Sequence, residues 1–138
     1  MKRLVMLVDD DRAVMQYYRR AIEAIGLEVV QFYDPDGVAD FMSGEHVRIP
    51  DAVVLDVMLP PGKRYIGRAD VDHGLRTGLL LLRELREHFG QCPFIVLTNV
   101  DRAEVLRSFP SDVCVVNKSD MAPPDFADFL ADTLKGKQ

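Results

Sequence analysis

Leu4-Val5-Met6-Leu7-Val8-Asp9-Asp10-Asp11 is the stretch that decides the fold, because its apolar residues run consecutively and end in carboxylates. Apolar side chains at every position, without alternation, suit a strand buried on both faces of a parallel sheet. A second run, Val53-Val54-Leu55, ends the same way at Asp56. Both runs therefore deliver acidic groups to the carboxyl ends of buried strands, where the ligand crevice of an open α/β sheet lies. Carboxylates meeting there repel one another and raise each other's pKa unless a cation sits between them. Asp9, Asp10 and Asp56 thus make a candidate oxygen-ligand Mg²⁺ site.

Strand-like and helix-like segments alternate along the whole chain. Leu4–Val8 reads as a strand. Ala13–Ile25 reads as a helix whose apolar face is Val14, Tyr17, Tyr18, Ala21, Ile22 and Ile25, closed by Gly26. Asp11 or a neighbour is expected to N-cap it. Leu27–Phe32 is a second strand, Pro35–Met42 a short helix, and Ala52–Asp56 the third strand. Thr77 is placed to N-cap a helix through Phe89 with Leu79, Leu82, Leu85 and Phe89 inward. Phe94–Thr98 is a fourth strand, after which Asp101 and Glu104 have the spacing of a capping box for a helix ending near Phe109. Val113–Asn117 is a fifth strand, and Pro123-Pro124 open a last helix with Phe126, Phe129, Leu130 and Leu134 on one face. The alternation predicts an α/β fold: a doubly wound five-stranded parallel sheet of flavodoxin-like order 2-1-3-4-5, with helices on both faces.

The bulk numbers bound the function. A chain of 138 residues, 48% apolar and 28% charged, fits one globular domain over 1–138, with nothing left for an output domain. A net charge of −5 argues against a nucleic-acid surface, which needs clustered Lys and Arg. Met1-Lys2-Arg3 and the apolar run after it superficially resemble a signal peptide, but Asp9-Asp10-Asp11 end that run too early. No stretch approaches the roughly 20 apolar residues of a membrane span, so the expected location is cytoplasmic. Cys92 and Cys114 have no metal-ligand spacing and read as reduced core thiols. One segment breaks the rhythm: residues 60–76 are far longer than the roughly 2–6 residues usual for a βα loop.

Strands four and five also end in polar groups, Thr98 and Lys118. With Leu7-Val8-Asp9-Asp10-Asp11, Val53-Val54-Leu55-Asp56-Val57-Met58-Leu59-Pro60, Ile95-Val96-Leu97-Thr98-Asn99 and Val115-Val116-Asn117-Lys118 in this order, the chain resembles the receiver domain of two-component response regulators. The resemblance implies that Asp56 accepts a phosphoryl group from a sensor histidine kinase or histidine phosphotransferase. It implies Mg²⁺ held by Asp10 and Asp56, by Asp9 through water, and by the Met58 carbonyl. Thr98 and Lys118 would meet the phosphoryl oxygens, and the signal would pass to a downstream protein target, with room for a homodimer. Phosphoryl transfer is mostly positioning and charge neutralisation, which suits this set of groups.

The chain departs from that family's usual pattern in several places. Ser119 stands where a proline generally follows the lysine, and Val115 where an aromatic often swings inward. Met58 and Val100 are apolar where groups that guide the hydrolytic water often stand, so slow loss of the phosphate is expected. The long loop brings Lys63, Arg64, Arg68, Asp70, Asp72 and His73 within reach of the site as a candidate lid, against the plainer reading of a solvated loop. The competing function is a phosphorylation-independent adaptor of the same fold. A haloacid-dehalogenase-like phosphatase is disfavoured by Ala13 after Asp11-Arg12, and a flavin binder by the lack of a phosphate loop after strand one.

Overall fold

The apolar runs Leu4–Val8 and Ala52–Leu55 each form a strand, and the aspartate after each ends it. A computed structural model of the chain describes residues 2–45, 47–67, 76–90 and 92–136. Its elements are β1 (Leu4–Val8), α1 (Arg12–Ala24), β2 (Glu28–Phe32), α2 (Pro35–Met42), β3 (Ala52–Leu55), α3 (Gly62–Tyr65), α4 (Thr77–Phe89), β4 (Phe94–Thr98), α5 (Ala103–Leu106), β5 (Cys114–Asn117) and α6 (Pro123–Lys135). The strands make one parallel five-stranded sheet in the order β2-β1-β3-β4-β5, as the alternation predicts.

Side chains along a strand point to alternate faces, so every central strand feeds two cores. Val5, Leu7, Val54, Ile95 and Leu97 pack on one face with Met15, Tyr18 and Ile22 of α1 and Phe126, Leu130 and Leu134 of α6. Met6, Val8, Val53, Leu55 and Val96 pack on the other with Val38 of α2 and the leucines of α4. Being covered on both sides is why these strands need apolar residues at every position.

Four expectations change in detail. The buried stripe of α1 is Met15, Tyr18 and Ile22, whereas Val14, Tyr17 and Ile25 are exposed. The Asp101/Glu104 capping box does not form: α5 is a single turn preceded by Arg102, whose guanidinium pairs with Glu104 at 2.8 Å. Thr77 is the first helical residue of α4 rather than its cap, and its hydroxyl is buried. Cys114 lies exposed on the edge strand β5, so it is not a core thiol, while Cys92 is half-buried and packs against the core's margin.

The long segment after β3 begins with a helical turn that sequence patterning did not reveal. Asp36, in the first turn of α2, accepts hydrogen bonds from the Lys63 N–H (2.9 Å) and the Arg64 N–H (3.2 Å), gripping the start of α3. Arg64 pairs with Glu84 of α4 at 2.7 Å, and the Tyr65 ring is buried between the helices. Arg68, Asp70, Asp72 and His73 lie outside the described residues.

Candidate functional site

Ladder hydrogen bonds that run one step past the strands fix the acidic tips. The Asp9 N–H donates to Phe32 O at 3.1 Å, the Asp56 N–H to Val8 O at 3.0 Å, and the Lys118 N–H to Thr98 O at 2.9 Å. Asp9, Asp10 and Asp56 each offer a carboxylate oxygen, and those oxygens lie within 4.8 Å of one another. Asp9 is tied further by the Asp11 N–H, which donates to its Oδ1 at 2.9 Å, while Asp11 itself caps α1 by accepting from the Val14 N–H at 3.1 Å. The Val57 N–H donates to Asp56 Oδ1 at 2.7 Å, leaving Oδ2 toward Lys118.

Lys118 reaches across from β5. Its Nζ lies 3.3 Å from Asp56 Oδ2 and 2.7 Å from Asp9 Oδ2, the second a charge contact off the line of an aligned hydrogen bond. Burial, reinforced by the Asp56 charge, pushes the Asp9 carboxyl up to about 6 against the pull of Lys118. Burial alone would lower the Lys118 pKa, but Asp56 and Asp9 outweigh it and hold the ammonium above its ordinary range. Thr98 is fully buried, and its Oγ1 accepts from the Val100 N–H at 3.1 Å.

These groups open onto one cleft of about 570 Å³, lined by Asp10, Asp56, Met58, Thr98 and Lys118 among others. Asp9 sits behind them, buried beneath Lys118. Arg102 also lines the cleft, a cation that sequence reading passed over because it sat inside the supposed capping box. Lys63 and Arg64 are not among the residues lining it. Arg64 is committed to Glu84 and so faces α4 instead.

Residues 5–110 match the family model described as the response regulator receiver domain. The chain belongs to the response-regulator receiver family. The match stops before β5, so the place of Lys118 in the receiver rests on the geometry above. Over 97 residues the receiver is 36% identical to a response regulator, MprA, of Mycolicibacterium vanbaalenii, covering 70% of this chain and 35% of that one. A Mycobacterium avium protein of the same name is 35% identical over 97 residues, again 70% of this chain and 35% of the other. The chain thus spans about a third of the length of these curated relatives. Among solved structures, the signal receiver domain of an HD domain-containing protein from Pseudomonas fluorescens Pf-5 superposes with a TM-score of 0.76 at 14% identity, covering 99% of this chain and 98% of that one. A CheY-like receiver from Methanospirillum hungatei gives 0.73 at 18% identity, covering 99% and 97%. At such identities the superpositions speak for the fold alone. No helix among the described residues is long and apolar enough to cross a membrane.

Receiver domains bind Mg²⁺ at their acidic pocket, and this one fits that ion on its own chemistry. The donor set is all hard oxygen, which Mg²⁺ prefers. Three carboxylates face one ammonium, more acidic groups than Lys118 alone can pair with.

Proposed function

We propose that this receiver accepts a phosphoryl group onto Asp56 from a phosphohistidine of a sensor kinase or histidine phosphotransferase, and signals through contacts with a downstream protein. One observation carries the reading: Asp10, Asp56, the Lys118 ammonium and the Thr98 hydroxyl converge at a single cleft, with the Asp9 carboxylate behind them. In the transfer an Asp56 carboxylate oxygen forms the new P–O bond as the P–N bond to the donor imidazole breaks. The electron pair leaves with that nitrogen, and a proton already on the donor ring's other nitrogen makes the departing imidazole neutral. Mg²⁺ bound by Asp10, Asp56 and the Met58 carbonyl, with Asp9 acting through water, would supply positive charge to the phosphoryl oxygens. Lys118 would give up its contact with Asp56 and pair with a phosphoryl oxygen, and Thr98 would donate its hydroxyl to another.

Intact-mass spectrometry after incubation with Mg²⁺ and a phosphoramidate donor tests this reading. A single phosphoryl adduct is expected on the wild-type protein and none on Asp56→Asn. A wild-type protein without adduct overturns the proposal and favours the phosphorylation-independent adaptor.

Lifetime gives a second check. Met58 and Val100 both line the cleft and carry no group able to orient an attacking water. The aspartyl phosphate is therefore expected to persist for minutes or longer when no phosphatase is added. Loss within seconds, followed by mass or by radiolabel, contradicts that expectation.

A further inference from the structure

The turn that carries Lys118 is held from two sides. The Lys118–Ser119 peptide is trans. Where proline would bring no donor, Ser119 brings a backbone N–H and a hydroxyl, and both need an acceptor. Asn117 Oδ1 takes both, at 2.9 Å from the Ser119 N and 2.7 Å from its Oγ. The far side of the turn is held from another element altogether. Tyr18 of α1 is 3% exposed, and its hydroxyl donates to Met121 O at 2.9 Å, with a weaker shared contact to Lys118 O at 3.4 Å. Its ring stands edge-on to Phe126 of α6, with centroids 5.7 Å apart, so the hydroxyl has a fixed origin. Ser119 and Asp120, between the two held carbonyls, are exposed.

We propose that Tyr18 is a positioning residue for the phosphoryl-acceptor chemistry: it clamps the Lys118–Met121 turn and thereby fixes the Lys118 ammonium over Asp56. The inference rests on the reading of Asp56 as acceptor. Lys118 reaches its two carboxylates through a long flexible stem, so the only rigid part of its placement is its backbone. The Lys118 N–H is held by β4, while the carbonyl side of the same residue is held through Tyr18. Misplacement of a reacting constellation by about 1 Å costs up to roughly 10²-fold in rate, so the loss of one clamp, with the ring kept in place, should cost less.

The test is Tyr18→Phe, which keeps the ring packing and deletes only the hydroxyl. Phosphoryl uptake from phosphoramidate is measured against donor concentration at saturating Mg²⁺, on the wild-type protein, Tyr18→Phe, Lys118→Ala and the double variant. The expected result is a fall of about tenfold in the maximal rate, with the half-saturating donor concentration unchanged. In the double variant the two losses should fail to multiply, because both act through one ammonium. Amide exchange at Lys118 and Met121 should quicken in Tyr18→Phe while the strands keep their protection. Wild-type uptake with Tyr18→Phe within twofold of it, or losses that multiply, would overturn the proposal alone. Absence of uptake by the wild-type protein overturns the acceptor reading and this proposal with it.

Discussion

Gly78→Ala is expected to lower the unfolding free energy by about 2–3 kcal/mol and to slow phosphoryl uptake by up to roughly 10²-fold. In an open helix the same change would stabilise by about 1 kcal/mol, since alanine is the better helix former. The environment reverses the sign. Gly78 sits in the first turn of α4, where its N–H donates to Val57 O at 3.0 Å. A Cβ added there would lie 2.2 Å from Asp56 O and 2.8 Å from both the Val57 Cα and the Val57 carbonyl oxygen. Those are backbone atoms at the exit of β3, with no flexible side chain to yield. The helix start and Asp56 must separate, and the Asp56 carboxylate moves with its own backbone. Chemical denaturation together with initial uptake rates checks both arms; a variant as stable and as fast as the wild type contradicts the argument.

Mg²⁺ is expected to raise the melting temperature, and the gain should shrink as pH falls through about 6. The sign follows from Asp9, whose folded-state carboxyl is pushed up to about 6 from 3.8 by burial and by Asp56. In the metal-free protein the folded state holds that proton more tightly than the unfolded chain does. Asp9 therefore contributes stability that is complete below about 3.8 and lost as pH rises through about 6. A divalent cation needs the ionised form, so proton and metal compete for the same cluster. If one proton is displaced, apparent affinity should weaken about tenfold for each pH unit below 6, or about 1.4 kcal/mol of linked stabilisation when Mg²⁺ is in excess. Thermal melts across a Mg²⁺ series at about pH 5 and pH 7.5 check this, with Asp9→Asn expected to flatten the dependence. Equal gains at both pH values would sink it.

What could be read from the chain follows from burial. Runs such as Val53-Val54-Leu55 admit no alternation because both faces are covered, so strand existence and the sheet's carboxyl edge were legible before any coordinates. The convergence of Asp9, Asp10, Asp56, Thr98 and Lys118 on that edge followed from topology. The remainder depended on partners distant in sequence. Gly62-Lys63-Arg64-Tyr65 is too short to show a helical period, and it forms because Asp36, from another helix, accepts its N–H groups. Tyr18 looked like one more apolar residue of α1, since only the turn after β5 gives its hydroxyl a purpose. Gly78 and Arg102 carried signals that were there to be weighed: a glycine opening a leucine-rich helix, and a cation four residues after the strand-end threonine.

The clasp of Asp36 on α3 has a consequence for how this domain tolerates growth. Chain entering the stretch after Gly67 departs from a moored post, and it returns at Arg76, whose carbonyl already takes the Leu80 N–H into α4. Extra residues spliced between two such moorings pay only closure entropy, about 0.6 kcal/mol for each doubling of length. The cost of added length is thus set by closure, provided the Arg76 hold on Leu80 keeps Gly78 seated against the Asp56 backbone.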